Sequence, residues 1–543
     1  MIKRPILYTG LAVLLSLSAV AQDQNAIKFS KTITKDRGYD HLSILASDEY
    51  EGRETGKKGA WMAAEYIKKQ FKSFGLKGPV KEGSDPYFQK VGLITNDISS
   101  SSFSVNGKAK QLYKDFVIAN GSVPNAGLAL DGSEVVFAGY GLTKEGYDDF
   151  AGVNAEGKII MIFSAGDPTV KTTDAEVNPR AAMMARQRMM VNINKAKPKA
   201  VLIVDMNFDN VPEYSKVNST LGRIMLKKDA PAAATTPQRA APLTSITISP
   251  ATANEILKAS NTTVEALAKK ITESGKPSSL TATTAIAASA QKKETPQRGE
   301  NVLGFLEGSD PKLKHEVLVV TSHYDHEGLV KDPNAKDKVM NGADDDGSGT
   351  TGVLMLAEAF SKAKKAGNGP KRSILFMTVV GEEKGLLGSE WYAEHPIFPI
   401  ANTITNLNID MIGRGDDDRP GNNDFVYIIG SNMLSDDLDR IGKKANTDYV
   451  NITLDEKYNN RTDPNRFYYR SDHYNFAKFG IPVIFYFNGV HKDYHQPGDE
   501  VSKIDFPMLA KRSQLVYFTA WELANGANRP VVNKNDDGTP KAK

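Results

Sequence analysis

The chain has 543 residues, 40% of them hydrophobic and 24% charged. That is ordinary globular composition at a length too great for one typical core, so two domains are expected. It contains no cysteine, which excludes disulfides, lipid attachment through an N-terminal cysteine and any thiol nucleophile. Setting aside Lys3 and Arg4 from 68 basic residues leaves 66 against 65 acidic ones, a balance that gives no reason to expect nucleic acid or a membrane surface as partner.

The first residues read as a secretory signal: Lys3 and Arg4, a mostly apolar run over 6–20, and the small-residue site Ala19-Val20-Ala21 before Gln22. The run is too short for a comfortable membrane span, so residues 1–21 are expected to be removed and the mature chain exported, periplasmic or secreted, with no stable membrane insertion. Residues 22–37 read as polar and frayed. A short helix is expected over 39–45, then the polar loop SDEYEGR. An amphipathic helix follows over 60–74, with Ala63, Tyr66, Ile67, Phe71 and Phe74 at helical spacing and Gly75 as its left-handed cap. Short strands and turns continue to about residue 125.

Residues 113–278 then carry strand-like runs at 133–137, 158–163, 200–204 and 244–248, a methionine-rich helix at 183–196 and a low-complexity loop at 229–242. This stretch has no histidine and no clustered metal ligands, and it reads as an inserted α/β accessory domain. Weak strand character returns over 279–288. Beyond residue 301, strands at 317–321, 373–380, 404–410, 425–429 and 482–486 alternate with helices at 350–363, 434–444 and 507–523. That alternation predicts an α/β fold with a mostly parallel, doubly wound sheet covered on both faces. The polar tail, 527–543, is expected to be disordered.

Chemistry concentrates where this sheet should end its strands. The run 317–321 leads into His323, Tyr324, Asp325 and His326, and the triplet Asp344-Asp345-Asp346 precedes a glycine-flanked helix start. Later strands end at Glu382-Glu383, at Asp410 and near His495. A two-metal hydrolytic site needs a bridging group, further nitrogen or oxygen ligands for each metal and room for a shared water. His323, Asp345, Glu383, Asp410 and His495 supply two imidazoles and three carboxylates from five separated segments. Glu382 is the adjacent candidate base, and Asp325 a partner for the second nitrogen of His323.

Together, the motifs SHYDHEG, NGADDDGSG, GEEKGLLGS, NIDMIGR and HKDYHQPGD resemble the cocatalytic zinc aminopeptidases, the family that also contains glutamate carboxypeptidase II. The likeness spans roughly 30–112 and 279–526, with catalytic-domain bounds set at 28–112 and 279–526. The stretch 113–278, through EVVFAGYGL, KIIMIF and AVLIVD, resembles the protease-associated domain that several members carry as an insertion. The resemblance implies two zinc ions per chain, with Asp345 bridging, His323 and Asp410 on one metal, and Glu383 and His495 on the other. It implies Glu382 as general base, Asp325 orienting His323, Tyr494 steadying the oxyanion, and a cis peptide between Asp345 and Asp346. The implied activity is removal of N-terminal residues from peptides by metal-activated water.

With the five ligands assigned, His326, His473 and His491 are expected to line the substrate pocket or pack nearby, and His41, His315 and His395 to lie on the surface. Asp344 and Asp346 are expected to shape the turn. Three other readings share parts of the pattern. A glutamate-carboxypeptidase-type enzyme or dipeptidase would need Arg414, Arg419, Arg461, Arg466 or Arg470 gathered to hold a carboxylate. A glutaminyl cyclase would use a single zinc, and a receptor-like binding protein would have lost its metals, whereas every ligand is present here.

Overall fold

The computed structural model describes residues 22–164, 189–227 and 243–541. The expected signal segment, residues 183–188 of the methionine-rich helix and the whole low-complexity loop lie outside them. The described chain builds two large sheets.

The first sheet is ordered Phe88–Lys90, Glu300–Leu306, Ser373–Val379, Val317–His323, Thr403–Ile409, Val483–Phe487, Phe425–Ile429, Thr453–Asp455. Its four middle strands, from Ser373–Val379 to Val483–Phe487, are parallel neighbours, whereas Glu300–Leu306 and Phe425–Ile429 join this block antiparallel. The expected mostly parallel sheet is thus parallel in its middle and mixed at its flanks. Periodicity alone could not tell these cases apart, because all of these strands except Glu300–Leu306 are wholly buried.

Burial on both faces follows from the alternation of side chains across a strand. Leu318 and Val320 enter one apolar cluster with the helices Lys58–Phe74, Gly349–Lys365 and Phe506–Asn525, while Val317 and Val319 enter another with Tyr392, Phe467 and Phe476. Among the four parallel strands, the first in sequence, Val317–His323, lies between the second, Ser373–Val379, and the third, Thr403–Ile409. The chain therefore crosses over Val317–His323, and the crevice beyond its C-terminal end is the topological switch point where α/β sheets bind ligands.

The second sheet is built from residues 93–297, wider than the 113–278 expected for the insertion. Two long antiparallel strands, Leu93–Val105 and Leu280–Gln297, lead into and out of it. Along Leu280–Gln297 buried Ala282, Thr284, Ile286, Ala288 and Ala290 alternate with exposed residues, the period-2 pattern of a half-buried strand.

Both chain ends depart from expectation. Residues 24–30 form a helix capped by Asp23, whose Oδ1 accepts from the Asn25 and Ala26 amides, and Ala26 and Phe29 are buried. The described part of the tail is tied down rather than loose: Arg529 donates to the carbonyls of Ala401 and Thr403, and the Lys534 amide to that of Leu434. Among the described residues no helix is long and apolar enough to cross a membrane.

Candidate metal centre

His323 is the last residue of its strand and is 1% exposed. The acidic triplet lies in the turn Ala343–Ser348, ahead of the helix Gly349–Lys365. Its outer members are consumed by backbone. Asp346 Oδ2 accepts from the His323 amide at 3.1 Å, and Oδ1 from the amides of Gly349 (2.9 Å) and Met411 (3.0 Å). Asp344 accepts from the Gly413 amide, Asn488 and His491. The Asp499 carboxylate accepts in turn from the amides of Asp344 and Asp345, each at 3.0 Å. With the turn fixed on both sides, and the Asp345–Asp346 peptide cis, Asp345 has both carboxylate oxygens to present.

Those oxygens face different donor groups. Oδ1 lies 3.3 Å from His323 Nε2, which is 3.7 Å from Asp410 Oδ1. Oδ2 lies 3.1 Å from His495 Nε2, itself 3.1 Å from Glu383 Oε2. Donors bound tetrahedrally at zinc-like bond lengths stand about 3.3 Å apart, so both groups are spaced to hold a cation. Among the described residues Glu383 Oε1, His495 Nε2 and both nitrogens of His326 are buried without a hydrogen-bond partner. Polar atoms of this kind, converging on one spot, fit the donor set of a cation. Glu382 lies with the first group, its Oε2 3.9 Å from His323 Nε2.

The electrostatics reflect this crowding. Burial pushes Glu382 well above the usual carboxylate range; His323 opposes the shift, and Glu383 and Asp410 add to it. Burial and the Asp345 charge act on Glu383 in the same direction, yet His326 and His495 outweigh them and hold it at about 2. For His495 burial lowers the pKa, but Asp345 and Glu383 overcome that and push it up to about 10. The centre is thus a set of mutually neutralising acids and imidazoles from which a binding cation would release protons.

Four residues that drew no functional reading brace these groups. Arg53, 1% exposed, donates to the carbonyls of Leu45, Tyr324, Asn341 and Gly342. Thr55 Oγ1 donates to Asp325 Oδ2 at 2.5 Å. Ser471 Oγ donates to Asp410 Oδ2 at 2.6 Å, and Asp499 clamps the turn. The SDEYEGR loop offers no periodic signal for Arg53 or Thr55, because their partners lie some 270 residues away. Ser471 lies in a run, Arg470-Ser471-Asp472-His473, that precedes the strand Val483–Phe487, where the sheet places functional residues, but that position alone assigns it no role.

Several expectations are revised. His323 Nδ1 donates at 3.0 Å to the backbone carbonyl of Asp325, whose carboxylate is 3.9 Å away. The Asp325 carboxylate instead accepts from Thr55 and, at 3.3 Å, from the Glu382 amide. His326 lies inside the ligand cluster, not in the pocket wall. His491 is held by Asp344, and His473 stacks on Phe485. His41 is buried against Tyr66 rather than at the surface. The five arginines do not gather: Arg414 pairs with Asp493, Arg419 with Asp455, and only Arg470 reaches the pocket. That pocket has Met411, Phe467, Phe485, Phe487 and Val490 for its apolar wall. Tyr494 also lines it, stacked on the His495 ring and accepting from Arg470 at 3.3 Å.

A carboxylate facing two nitrogen–oxygen donor groups, with a buried glutamate beside one of them at a sheet switch point, defines the class: a candidate metal centre on an α/β scaffold. Residues 301–520 match the model of Peptidase family M28, so this part of the chain is similar to the cocatalytic zinc peptidases. It is 29% identical over 266 residues to a probable zinc metalloprotease of Pyrenophora teres f. teres, covering 42% of this chain and 52% of that protein. It is 29% identical over 246 residues to a probable leucine aminopeptidase of Arthroderma otae, covering 44% of this chain and 61% of the relative. The match thus spans about half to three-fifths of these relatives' lengths. The fold is shared with BSAP, a zinc aminopeptidase from Bacillus subtilis, at a TM-score of 0.51 and 19% identity over 91% of this chain and 96% of that one.

Proposed function

We propose that the chain is an exported zinc exopeptidase that binds two zinc ions and acts as an aminopeptidase. The observation that carries this reading is Asp345, whose two oxygens face separate donor groups 3.3 and 3.1 Å away, with Glu382 buried beside one of them. The names of the relatives, a zinc metalloprotease and a leucine aminopeptidase, support zinc and peptide hydrolysis.

When bound, two zinc ions supply Lewis acidity for the scissile carbonyl and lower the pKa of water. The chain's own residues do the rest. Glu382, kept by burial in a high proton-affinity state, takes a proton from water and delivers it to the leaving amine. Asp325 fixes that base through the Glu382 amide and fixes His323 through its carbonyl. The apolar wall from Met411 to Val490 accepts an apolar side chain, and Arg470 holds the Tyr494 hydroxyl at the site. Among the described residues the pocket lining holds one arginine, Arg470, and no cationic cluster for a substrate carboxylate, which favours a free amine over a free carboxylate. The sheet over residues 93–297, in the part that resembles a protease-associated domain, is read as the insertion.

A panel of aminoacyl and N-blocked peptide reporters, with added zinc and with chelator, tests the reading. Zinc-dependent hydrolysis of the free-amine substrates is expected. Hydrolysis of the blocked substrates alone would overturn the aminopeptidase assignment.

A further inference from the structure

The five-ligand set leaves out a histidine that the fold places among its members. His326 is 0% exposed, with Nδ1 2.8 Å from Glu383 Oε1 and 3.8 Å from Asp345 Oδ2. Its ring centroid is 5.7 Å from that of His495, with the planes nearly perpendicular. Among the described residues neither ring nitrogen has a hydrogen-bond partner, and Glu383 Oε1 has none either. The 2.8 Å approach is therefore close without being aligned as a hydrogen bond, the relation of two ligands that share a cation. The buried His473 ring also leaves both nitrogens unsatisfied, but it stacks on Phe485, whereas His326 Nδ1 faces a carboxylate oxygen with which it could share a cation.

The ring is also held in place. The His326 amide donates to the Arg53 carbonyl at 3.1 Å, within a bridge between Glu54 and His326. Its other side packs on Gly342, where an added Cβ would lie 2.5 Å from the ring carbons Cγ and Cδ2. Backbone on one side and a side-chain-free residue on the other keep Nδ1 turned toward Glu383.

The geometry points to His326 as an additional protein ligand, through Nδ1, of the metal position formed by Glu383, His495 and Asp345. This inference rests on the dinuclear reading above. It makes the two positions unequal, one with a single imidazole from His323 and the other with two. The position richer in nitrogen prefers zinc, cobalt or nickel over magnesium or manganese and holds them more tightly. Chelation should then empty the His323–Asp410 position first.

Two measurements on the full chain test this. With 113Cd in place of zinc and 15N-labelled histidine, three imidazoles coupled to cadmium are expected in the unmutated protein. Two bound ions with only two coupled imidazoles would overturn the inference and leave the dinuclear reading standing, whereas a single bound ion per chain would overturn that reading. In His326→Asn, zinc competition titrations should show the tighter affinity weakened at least about tenfold, with the weaker one unchanged. Two unchanged affinities would also overturn the inference. If the variant does not fold, as judged by melting of the metal-free form, the cadmium spectrum decides alone.

Discussion

Replacing Thr55 with valine removes one hydroxyl from beneath the centre and preserves the side chain's shape. Thr55 and Asp325 are both 0% exposed, and Thr55 Oγ1 donates to Asp325 Oδ2 at 2.5 Å. The other donor to that carboxylate, the Glu382 amide, is longer at 3.3 Å and reaches Oδ1. Valine therefore leaves Oδ2 of a buried carboxylate without a partner, and hydrogen bonds to charged groups are worth about 1.5–3 kcal/mol. A loss of about 2 kcal/mol corresponds to roughly a 30-fold shift in the folding equilibrium. Because Asp325 also receives His323 Nδ1 at its carbonyl, kcat should fall about tenfold as well. Burial already holds Asp325 above its usual range despite Thr55. Losing the hydroxyl raises it further, so the deficit should be largest at neutral pH and shrink as the carboxyl protonates on acidification. Urea denaturation of the metal-free protein across pH and steady-state kinetics of the zinc-loaded enzyme read both effects, with Thr55→Ser as the restoring control. A valine variant within about 0.5 kcal/mol of the parent, with unchanged kcat, would refute the reasoning.

Three further outcomes follow from other parts of the structure. His495 must shed a proton to bind a cation, and its pKa, raised to about 10 by Asp345 and Glu383 over the opposing effect of burial, lies above neutral. Zinc affinity should therefore rise with pH, by up to about tenfold per unit below that value; a flat profile in competition titrations would contradict this. Gly342 has φ +55°, and a Cβ there would lie 2.3 Å from the Asp345 carbonyl, so Gly342→Ala should cost more than about 2 kcal/mol and weaken metal binding, as measured by denaturation and titration. His41, which burial and then Arg37 lower to about 4 from 6.5, binds a proton more readily unfolded than folded. Stability should fall by roughly 3 kcal/mol as pH drops from 6.5 through 4, and the urea midpoint of His41→Gln should show a shallower fall.

His323, Asp410 and the Glu382-Glu383 pair were legible because each follows a run of buried strand residues, so that strand ends and ligands could be read together; Asp345 and His495 stand in turns and were legible from the motifs around them. His323 closes Val317–His323, Asp410 follows Thr403–Ile409, and Glu382 and Glu383 follow Ser373–Val379. The bracing of the site was not legible. Arg53 and Thr55 belong to a polar loop, and their roles arise only when residues some 270 positions later fold against them. His326 was set aside on coordination number, a count that cannot see a ring wedged between Gly342 and Glu383. The flanking strands Glu300–Leu306 and Phe425–Ile429 pair antiparallel, a choice fixed by connections and not by hydrophobic pattern. The first helix did leave a signal: Asp23 as cap with Ala26 and Phe29 on one face, which the polar composition of the segment obscured.

In the proposed mechanism two metal positions meet at Asp345, and Glu382 moves the proton without binding either ion. Glu382→Gln, assayed for bound zinc and for turnover in the same preparation, tests this most directly. Two zinc ions per chain are expected, as in the parent, with a loss of turnover of about 100-fold or more. Full turnover in that variant, or loss of a zinc ion with the glutamate, would contradict it.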